Sequence, residues 1–189
     1  MSLTVLFVCT GNICRSPLAE RLFIARSVPE AGVLAHSAGL GALEGYPMDQ
    51  ASAQALRELG GDGQGHLAQY LNESLIAEAD LILGAEEAHR DTVLRLAPAT
   101  MRRAFTMREF ARLGADVSPA TSLGHAKAVI ASVASRRGLV DAVAPGADDI
   151  ADPYRRPIDE VRECAQKIAQ AVDATLRLLG AGQRSTLPG

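Results

Sequence analysis

Cys9 and Arg15 are the side chains of this sequence best suited to chemistry on a phosphate group. A cysteine thiolate is a nucleophile, and a guanidinium can hold two phosphoryl oxygens with its fixed fork of donors. The residues between them are Thr10, Gly11, Asn12, Ile13 and Cys14, and Ser16 and Pro17 follow. The spacing alone is a weak signal, because such a pair arises by chance in about one sequence of this kind in four. The flanking residues therefore decide whether the pair forms a site.

The pair lies between an apolar run, Leu3 to Val8, and a helical pattern that begins at Ser16-Pro17, with proline at the first helical position. A loop at such a junction directs backbone N–H groups toward one point, and the helix dipole adds positive potential there. Gly11 and Asn12 tolerate the left-handed backbone of a tight anion-binding turn. These features favour a Cys9 thiolate and predict a phosphate-binding loop. The alternative is a buried cysteine that ends a strand and a surface arginine that begins a helix.

The elements that would position this loop alternate between strands and helices. The predicted strands are Leu3–Val8, Val33–Ser37, Leu81–Gly84 and Ala104–Met107, and the predicted helices are Pro17–Arg26, Asp49–Leu59 and Glu86–Leu96. Continuous apolar strands between helices indicate a single-domain, open, four-stranded parallel α/β sheet with helices on both faces and the loop after the first strand. Ligands of such sheets bind beyond the carboxyl ends of the strands, where Cys9 lies.

The second half of the chain adds two further helices. Segment 111–145 holds one amphipathic helix, which serves either core packing or a partner surface; its apolar positions are Ala126, Val129, Ile130 and Val133. A last helix is predicted from apolar residues that repeat every three or four positions from Ile158 to Leu179, with Pro157 near its start and Gly180 just past its end. We expect a domain over residues 1–180 and a flexible tail over 181–189.

Composition narrows the class of protein. The chain has 189 residues, a net charge of −3 and 4% aromatic residues, so no basic stripe or stacking platform indicates nucleic acid as a partner. The run Leu3 to Val8 has no basic region before it and leads directly into the loop, which is unlike a signal peptide or a membrane span. Three cysteines are an odd number without export signals. We expect reduced thiols, a cytoplasmic location, no membrane association and a monomer.

The stretch from Val8 to Pro17 resembles the phosphate-binding loop of the low-molecular-weight protein tyrosine phosphatases. Asp152-Pro153-Tyr154 is similar to the family's late Asp-Pro-aromatic element, just before the last helix. Further similar stretches are Ser37-Ala38-Gly39, Gly45-x-Pro47-x-Asp49, and His66-x-Ala68 before Asp80-Leu81-Ile82-Leu83. The resemblance spans most of the chain.

The resemblance implies a chemistry and a set of roles. Cys9 would be the nucleophile, Arg15 would stabilise the transferring phosphoryl group, and Asp152 would be the general acid and then the base, without a metal or cofactor. For an arbitrary Asp-Pro, a structural turn is the alternative. The implied binding residues are Thr10, Gly11, Asn12, Ile13, Cys14, Ser16, Leu43 and Tyr154. A hydrogen-bond network that supports the loop would comprise Asn12, Ser16, Ser37 and His66.

The implied substrates are tyrosine-phosphorylated proteins. Ile13 would line the pocket mouth and Tyr154 would form an aromatic wall. Many bacterial members have an aromatic residue near Leu43, so weaker ring stacking is expected here. A phosphoarginine phosphatase of the same fold is an alternative, although such enzymes tend to have threonine at the Ile13 position. A binding module that senses phosphate or redox state without turnover is another, and Asp152 argues against it.

Different roles are expected for the two other cysteines, Cys14 and Cys164. The resemblance implies a reversible disulfide between Cys9 and Cys14 that would protect Cys9 from overoxidation. The alternative for Cys14 is a small side chain that packs under the loop. Cys164 lies beside the apolar stripe of the last helix, so a cysteine relay for arsenate reduction is not expected.

Overall fold

Four parallel strands form one sheet in the computed structural model, which describes residues 2–141 and 143–182. The strands are β1 (Leu3–Cys9), β2 (Val33–Gly39), β3 (Leu81–Gly84) and β4 (Ala104–Thr106), in the order β2-β1-β3-β4. The predicted open, parallel, four-stranded sheet is confirmed. Because β1 is central and its neighbours run in the same direction, the ends of β1 and β3 meet at one edge of the sheet.

Helices cover both faces of this sheet. They are α1 (Arg15–Arg26), α2 (Gln50–Glu58), α3 (Glu73–Glu78), α4 (Glu87–Leu96), α5 (Met107–Leu113), α6 (Leu123–Ser135) and α7 (Ile158–Leu179). Side chains alternate along β1, so Val5 and Phe7 join the larger core with α1, α2, α5, α6 and α7. Leu6 and Val8 join a smaller core with α3 and α4. The predicted two-sided cover is therefore confirmed.

The two helices predicted in the second half are present. All four apolar positions of α6 are buried in the larger core. The segment that follows α6 is fixed to β4, since the Arg137 guanidinium lies 4.1 Å from the centre of the Phe105 ring and donates to the Ala104 carbonyl at 2.7 Å. Helix α7 ends at Gly180, where φ is 66° and a Cβ atom would lie 2.2 Å from the Ala120 carbonyl oxygen.

The structure corrects two details of the sequence prediction and describes two residues of the predicted tail. Helix α1 begins at Arg15 rather than Pro17, so Ser16 is inside the helix and is not its cap. The short helices α3 and α5 were not predicted. Within the predicted tail, Ala181 is buried and accepts a hydrogen bond from the Val28 N–H at 2.9 Å, while residues 183–189 lie outside the described part of the chain. No helix in the described ranges is both long and apolar enough to cross a bilayer.

Candidate active site

The candidate site lies where β1 ends and α1 begins. A returning segment approaches the same place, because the Ile150 N–H donates to the Ala85 carbonyl at 2.9 Å just beyond β3. The Ile150 carbonyl then accepts a hydrogen bond from Arg15 Nη1 at 2.9 Å. This contact brings the sequence around Asp152 to the loop that was predicted from residues 9 to 16.

The loop turns its carbonyl groups outward. The carbonyls of Cys9, Thr10, Gly11 and Ile13 each accept a backbone N–H at 2.9–3.0 Å from the segment that follows β2, and the Asn12 carbonyl accepts from His66 Nε2 at 2.7 Å. The backbone N–H groups of residues 10–15 have no acceptor among the described residues. A ring of unpaired N–H groups at a helix N-terminus is a preformed anion site.

Asn12 is the residue that shapes the turn. It is fully buried with φ of 53°, whereas Gly11 does not adopt the left-handed conformation that was considered for it. Its Nδ2 donates to Ser16 Oγ and to Ser37 Oγ, both at 2.9 Å, and its Oδ1 accepts from the Gln69 N–H at 2.9 Å. Its side-chain donors and acceptor are thus all engaged, which holds the turn in place.

Gly39 allows the loop to approach the end of β2. A Cβ atom at this position would lie 2.5 Å from the Thr10 carbonyl oxygen and 3.0 Å from the Asn12 nitrogen. The sequence Ser37-Ala38-Gly39 therefore supports the loop in two ways. The Ser37 hydroxyl accepts a hydrogen bond from Asn12, and Gly39, which has no side chain, leaves room for the loop backbone.

Cys9 is buried and its thiol faces a hydroxyl. The distance from Cys9 Sγ to Ser16 Oγ is 2.9 Å. Ser16 Oγ accepts a hydrogen bond from Asn12 Nδ2. Apart from the sulfur, the acceptor that its own hydrogen could reach among the described residues is the Ala38 carbonyl, which is 3.4 Å away. The Ser16 hydroxyl hydrogen is therefore best placed to donate to the sulfur, an arrangement that stabilises a thiolate.

Arg15 is 2% exposed and joins the parts of the site. Nη1 donates to Glu86 Oε1 as well as to the Ile150 carbonyl, and Nη2 lies 3.4 Å from Asp152 Oδ2. Burial acts to lower the pKa of Arg15, but the charges of Cys9, Asp152 and Glu86 outweigh it and raise the pKa above its usual value. The buried Nε–H has no acceptor among the described residues, so it can donate to a phosphoryl oxygen.

The predicted acid and the predicted rim residues lie around this centre. Asp152 is half-exposed, and its Oδ1 accepts from the Tyr154 N–H at 3.3 Å. Tyr154 and Leu43 are both exposed, and the Leu43 N–H donates to the Gly11 carbonyl at 3.0 Å. Ile13 is buried against Cys14 and Ala68. Ile13 therefore contributes less exposed surface to the pocket mouth than expected.

The sequence analysis did not identify Glu86 and His89. Glu86 pairs with Arg15, and His89 Nε2 lies 3.0 Å from Thr10 Oγ1. Both residues directly follow β3, whose carboxyl end shares the sheet edge with β1. This topological position was the available signal, since parallel strands bring the residues after their carboxyl ends together.

The three cysteines are free thiols. Burial raises the pKa of Cys14 to about 12, and burial also raises the pKa of Cys164 to about 12. Cys164 packs in the larger core, as predicted. Both residues are therefore neutral thiols near neutral pH.

Comparison with known proteins agrees with this geometry. The family model for low molecular weight phosphotyrosine protein phosphatase matches residues 4–118. The probable low molecular weight protein-tyrosine-phosphatase EpsP of Ralstonia nicotianae is 33% identical over 180 residues, which are 94% of this chain and 98% of that protein. The structure of a low molecular weight protein tyrosine phosphatase from T. tengcongensis is similar with a TM-score of 0.69 and 29% identity, over 94% of this chain and 100% of that one.

A structure with a different named activity is also similar. The YwlE arginine phosphatase from Geobacillus stearothermophilus has a TM-score of 0.68 and 27% identity, over 91% of this chain and 89% of that one. The likeness in fold thus extends to an enzyme with another phosphorylated substrate, while the family model and the relative at 33% identity both name tyrosine phosphatases. This chain belongs to the low molecular weight protein-tyrosine-phosphatase family.

Proposed function

We propose that this protein hydrolyses phosphotyrosine in proteins through a phosphocysteine intermediate on Cys9, with Arg15 as the phosphoryl-binding cation and Asp152 as the general acid. As a member of its family it acts on phosphoproteins; the tyrosine specificity and the residue roles are the proposal. The observation that carries it is a single loop that holds the buried Cys9 thiol together with backbone amides and an Arg15 Nε–H that have no acceptor among the described residues.

In the first step the Cys9 thiolate attacks phosphorus in line with the aryl oxygen. The S–P bond forms and the P–O bond breaks, and its electron pair stays on the leaving tyrosine oxygen. Asp152, protonated in the complex, gives that oxygen a proton, so tyrosine leaves as the neutral phenol. The loop N–H groups and Arg15 stabilise the three equatorial oxygens throughout.

In the second step water hydrolyses the phosphocysteine. The Asp152 carboxylate takes a proton from water as its oxygen attacks phosphorus, and the S–P bond breaks to return the thiolate and release inorganic phosphate. Ser16 supports the leaving sulfur, because its hydroxyl lies 2.9 Å from Sγ. The Asp152 carboxyl is back in its acid form for the next turnover.

Aromatic side chains at the rim favour an aryl phosphate. Tyr154 is 38% exposed beside Asp152, and Tyr46 is 63% exposed in the turn that begins at Leu43, where its N–H donates to the Leu43 carbonyl at 3.0 Å. We propose that Tyr46 supplies the ring contact that Leu43 cannot. Catalysis through Cys9 also needs a reduced thiol, so we propose that the protein works in the cytoplasm. The reversible Cys9–Cys14 disulfide stays a prediction.

The test compares leaving groups. Asp152→Asn should lower kcat/KM, which reports the first step, on a phosphotyrosine peptide by about 10² to 10⁴. The loss should be much smaller on para-nitrophenyl phosphate, whose leaving group needs little proton assistance. Asp159→Asn, the same change at an exposed residue of α7, is the control and should change neither rate. Equal losses for Asp152→Asn on both substrates would remove it from the acid role.

A second arm tests the nucleophile and the substrate. Cys9→Ser should abolish turnover and still bind inorganic phosphate, because the amides and Arg15 remain. The wild-type enzyme should hydrolyse the phosphotyrosine peptide faster than a protein phosphorylated on arginine. A preference for phosphoarginine would replace the proposed substrate and leave the mechanism in place.

A further inference from the structure

His89 has one defined tautomer. It is 3% exposed on the first turn of α4, and its Nδ1 accepts a hydrogen bond from the Glu86 N–H at 3.0 Å. A backbone N–H can only donate, so Nδ1 carries no hydrogen and the neutral ring carries its hydrogen on Nε2. Nε2 lies 3.0 Å from Thr10 Oγ1 and therefore donates to it.

The Thr10 hydroxyl receives two donors. Besides His89 Nε2, Arg15 Nη2 approaches Oγ1 at 3.4 Å. A hydroxyl has two acceptor lone pairs and one hydrogen, so both acceptor positions are directed at these donors and the O–H remains. This O–H has no acceptor among the described residues.

The position of Thr10 suggests the partner of that O–H. Its side chain is exposed in a loop whose residues 12–16 are buried. The Arg15 nitrogen that contacts it also lies 3.4 Å from Asp152 Oδ2, so the hydroxyl is on the side of Arg15 that faces Asp152. A phosphoryl oxygen bound by Arg15 would lie within reach of it.

We propose that His89 is a positioning residue that makes the Thr10 hydroxyl a hydrogen-bond donor to the bound phosphoryl group. Without the Nε2 donor, the hydroxyl can rotate and the hydrogen bond to the ligand costs conformational entropy. The inference rests on the proposed function only in that the ligand is a phosphoryl group.

The experiment is a double-mutant cycle on the affinity for inorganic phosphate, measured by calorimetry. Thr10→Val removes the hydroxyl at nearly constant volume. His89→Asn keeps an acceptor near the Nδ1 position for the Glu86 N–H but is too short to reach Thr10. Thr10→Val should weaken phosphate binding by about tenfold, the effect of one hydrogen bond to a charged ligand. His89→Asn leaves the hydroxyl in place and should weaken binding less, by about threefold, the cost of ordering a hydroxyl among about three rotational positions.

The double variant separates a positioning role from a merely structural one. If His89 acts through Thr10, His89→Asn has no further effect in the Thr10→Val background, so the double variant also binds about tenfold more weakly. Thr10→Ser and His89→Gln, which restore the hydroxyl and a donor at the Nε2 position, should bind nearly as the wild type.

Two results would overturn the inference. One is phosphate binding by Thr10→Val at wild-type affinity, which can be read even if the buried His89 variants do not fold. The other is additivity, a loss of about thirtyfold in the double variant. The cycle needs no turnover, so a wild-type protein that fails to hydrolyse phosphotyrosine would reject the proposed function and still leave this inference measurable.

Discussion

Replacing Glu86 with glutamine removes the negative charge that faces Arg15 and keeps the shape of the side chain. Arg15 is 2% exposed and Glu86 28% exposed, so the pair is largely shielded from water. The glutamine amide oxygen can still accept from Arg15 Nη1, and the Ile150 carbonyl still accepts at 2.9 Å. The substitution therefore isolates the charge of Glu86 from its hydrogen bond.

Removing the charge of Glu86 should lower the free energy of unfolding and raise the affinity for phosphate. Two opposite charges about 4 Å apart attract by about 4 kcal/mol at an effective dielectric constant of 20. Partial exposure of Glu86 and the retained hydrogen bond reduce the expected loss of unfolding free energy to about 1–3 kcal/mol. The same carboxylate repels a phosphate dianion, so its removal should tighten phosphate binding by about tenfold.

Urea unfolding with and without phosphate measures both effects. Glu86→Gln should unfold at a lower urea concentration than the wild type in the absence of phosphate, with an unchanged dependence on urea. Saturating phosphate should restore part of the difference, because tighter binding to the folded state adds more stability.

Glu58→Gln is the matched control. Like Glu86, Glu58 is paired with an arginine. It accepts two hydrogen bonds from Arg162, both at 2.9 Å, but this pair lies on the surface. Water and salt screen such pairs, so the loss of stability should be smaller and phosphate affinity should not change. If Glu86→Gln matched this control in both measurements, Arg15 would not depend on a buried counter-charge.

Three further predictions follow from the same geometry. The raised pKa of Cys14, about 12, keeps it a neutral thiol, so iodoacetamide at pH 8 should label Cys9 first by mass spectrometry; equal rates would contradict this. Burial, and then the charge of Arg15, lower the pKa of His89 in the folded protein. Below about pH 6.5 the unfolded chain therefore binds more protons than the folded chain, so the free energy of unfolding should decrease as the pH is lowered. Unfolding free energies between pH 5 and 8 should fall less steeply in His89→Gln. Gly39→Ala would place Cβ 2.5 Å from the Thr10 carbonyl, so phosphate affinity should drop; unchanged affinity would show that the loop can yield.

The sequence was sufficient for the sheet and the long helices. The central strands β1 and β3 are almost continuous apolar runs, and α7 repeats its apolar residues over 22 residues, so burial and periodicity agree. Helices α3 and α5 have six and seven residues, too few for a periodic signal. Helix α5 nevertheless begins with a capping box between Thr106 and Glu109, a pattern visible in the sequence.

Helix α1 starts at a different residue from the one that the position of its proline predicts. Proline is frequent at the first helical position, which favoured a start at Pro17. The helix begins two residues earlier because the turn at Asn12 already directs the chain into helical geometry at Arg15. Ser16 is thereby on the helix and its hydroxyl reaches the Cys9 thiol instead of capping the backbone.

The parts of the site differed in how far they could be predicted. Cys9 and Arg15 belong to one contiguous loop, so their proximity follows from the sequence. Asp152 was found by resemblance alone, since nothing in its own neighbours distinguishes it from a turn residue. Glu86 lies 71 residues from Arg15 in sequence, and only the order of the strands brings the two together.

The phosphate-binding loop and Asp152 differ in how firmly they are held. The segment before Asp152 has the stronger contacts. Within residues 2–141 and 143–182, the polar contacts of the Asp152 carboxylate are at 3.3–3.4 Å. Just before it, Asp148 accepts from Arg112 at 2.6 Å, the Ala147 carbonyl accepts from Arg108 at 2.8 Å, and Asp149 accepts from the Glu87 N–H at 2.7 Å. The chain after α6 is therefore fixed to α4 and α5 before it reaches the site. Length and sequence between α5 and residue 147 can vary without moving Asp152 as long as Arg108 and Arg112 of α5 are kept, because that aspartate is positioned from residues 147–150.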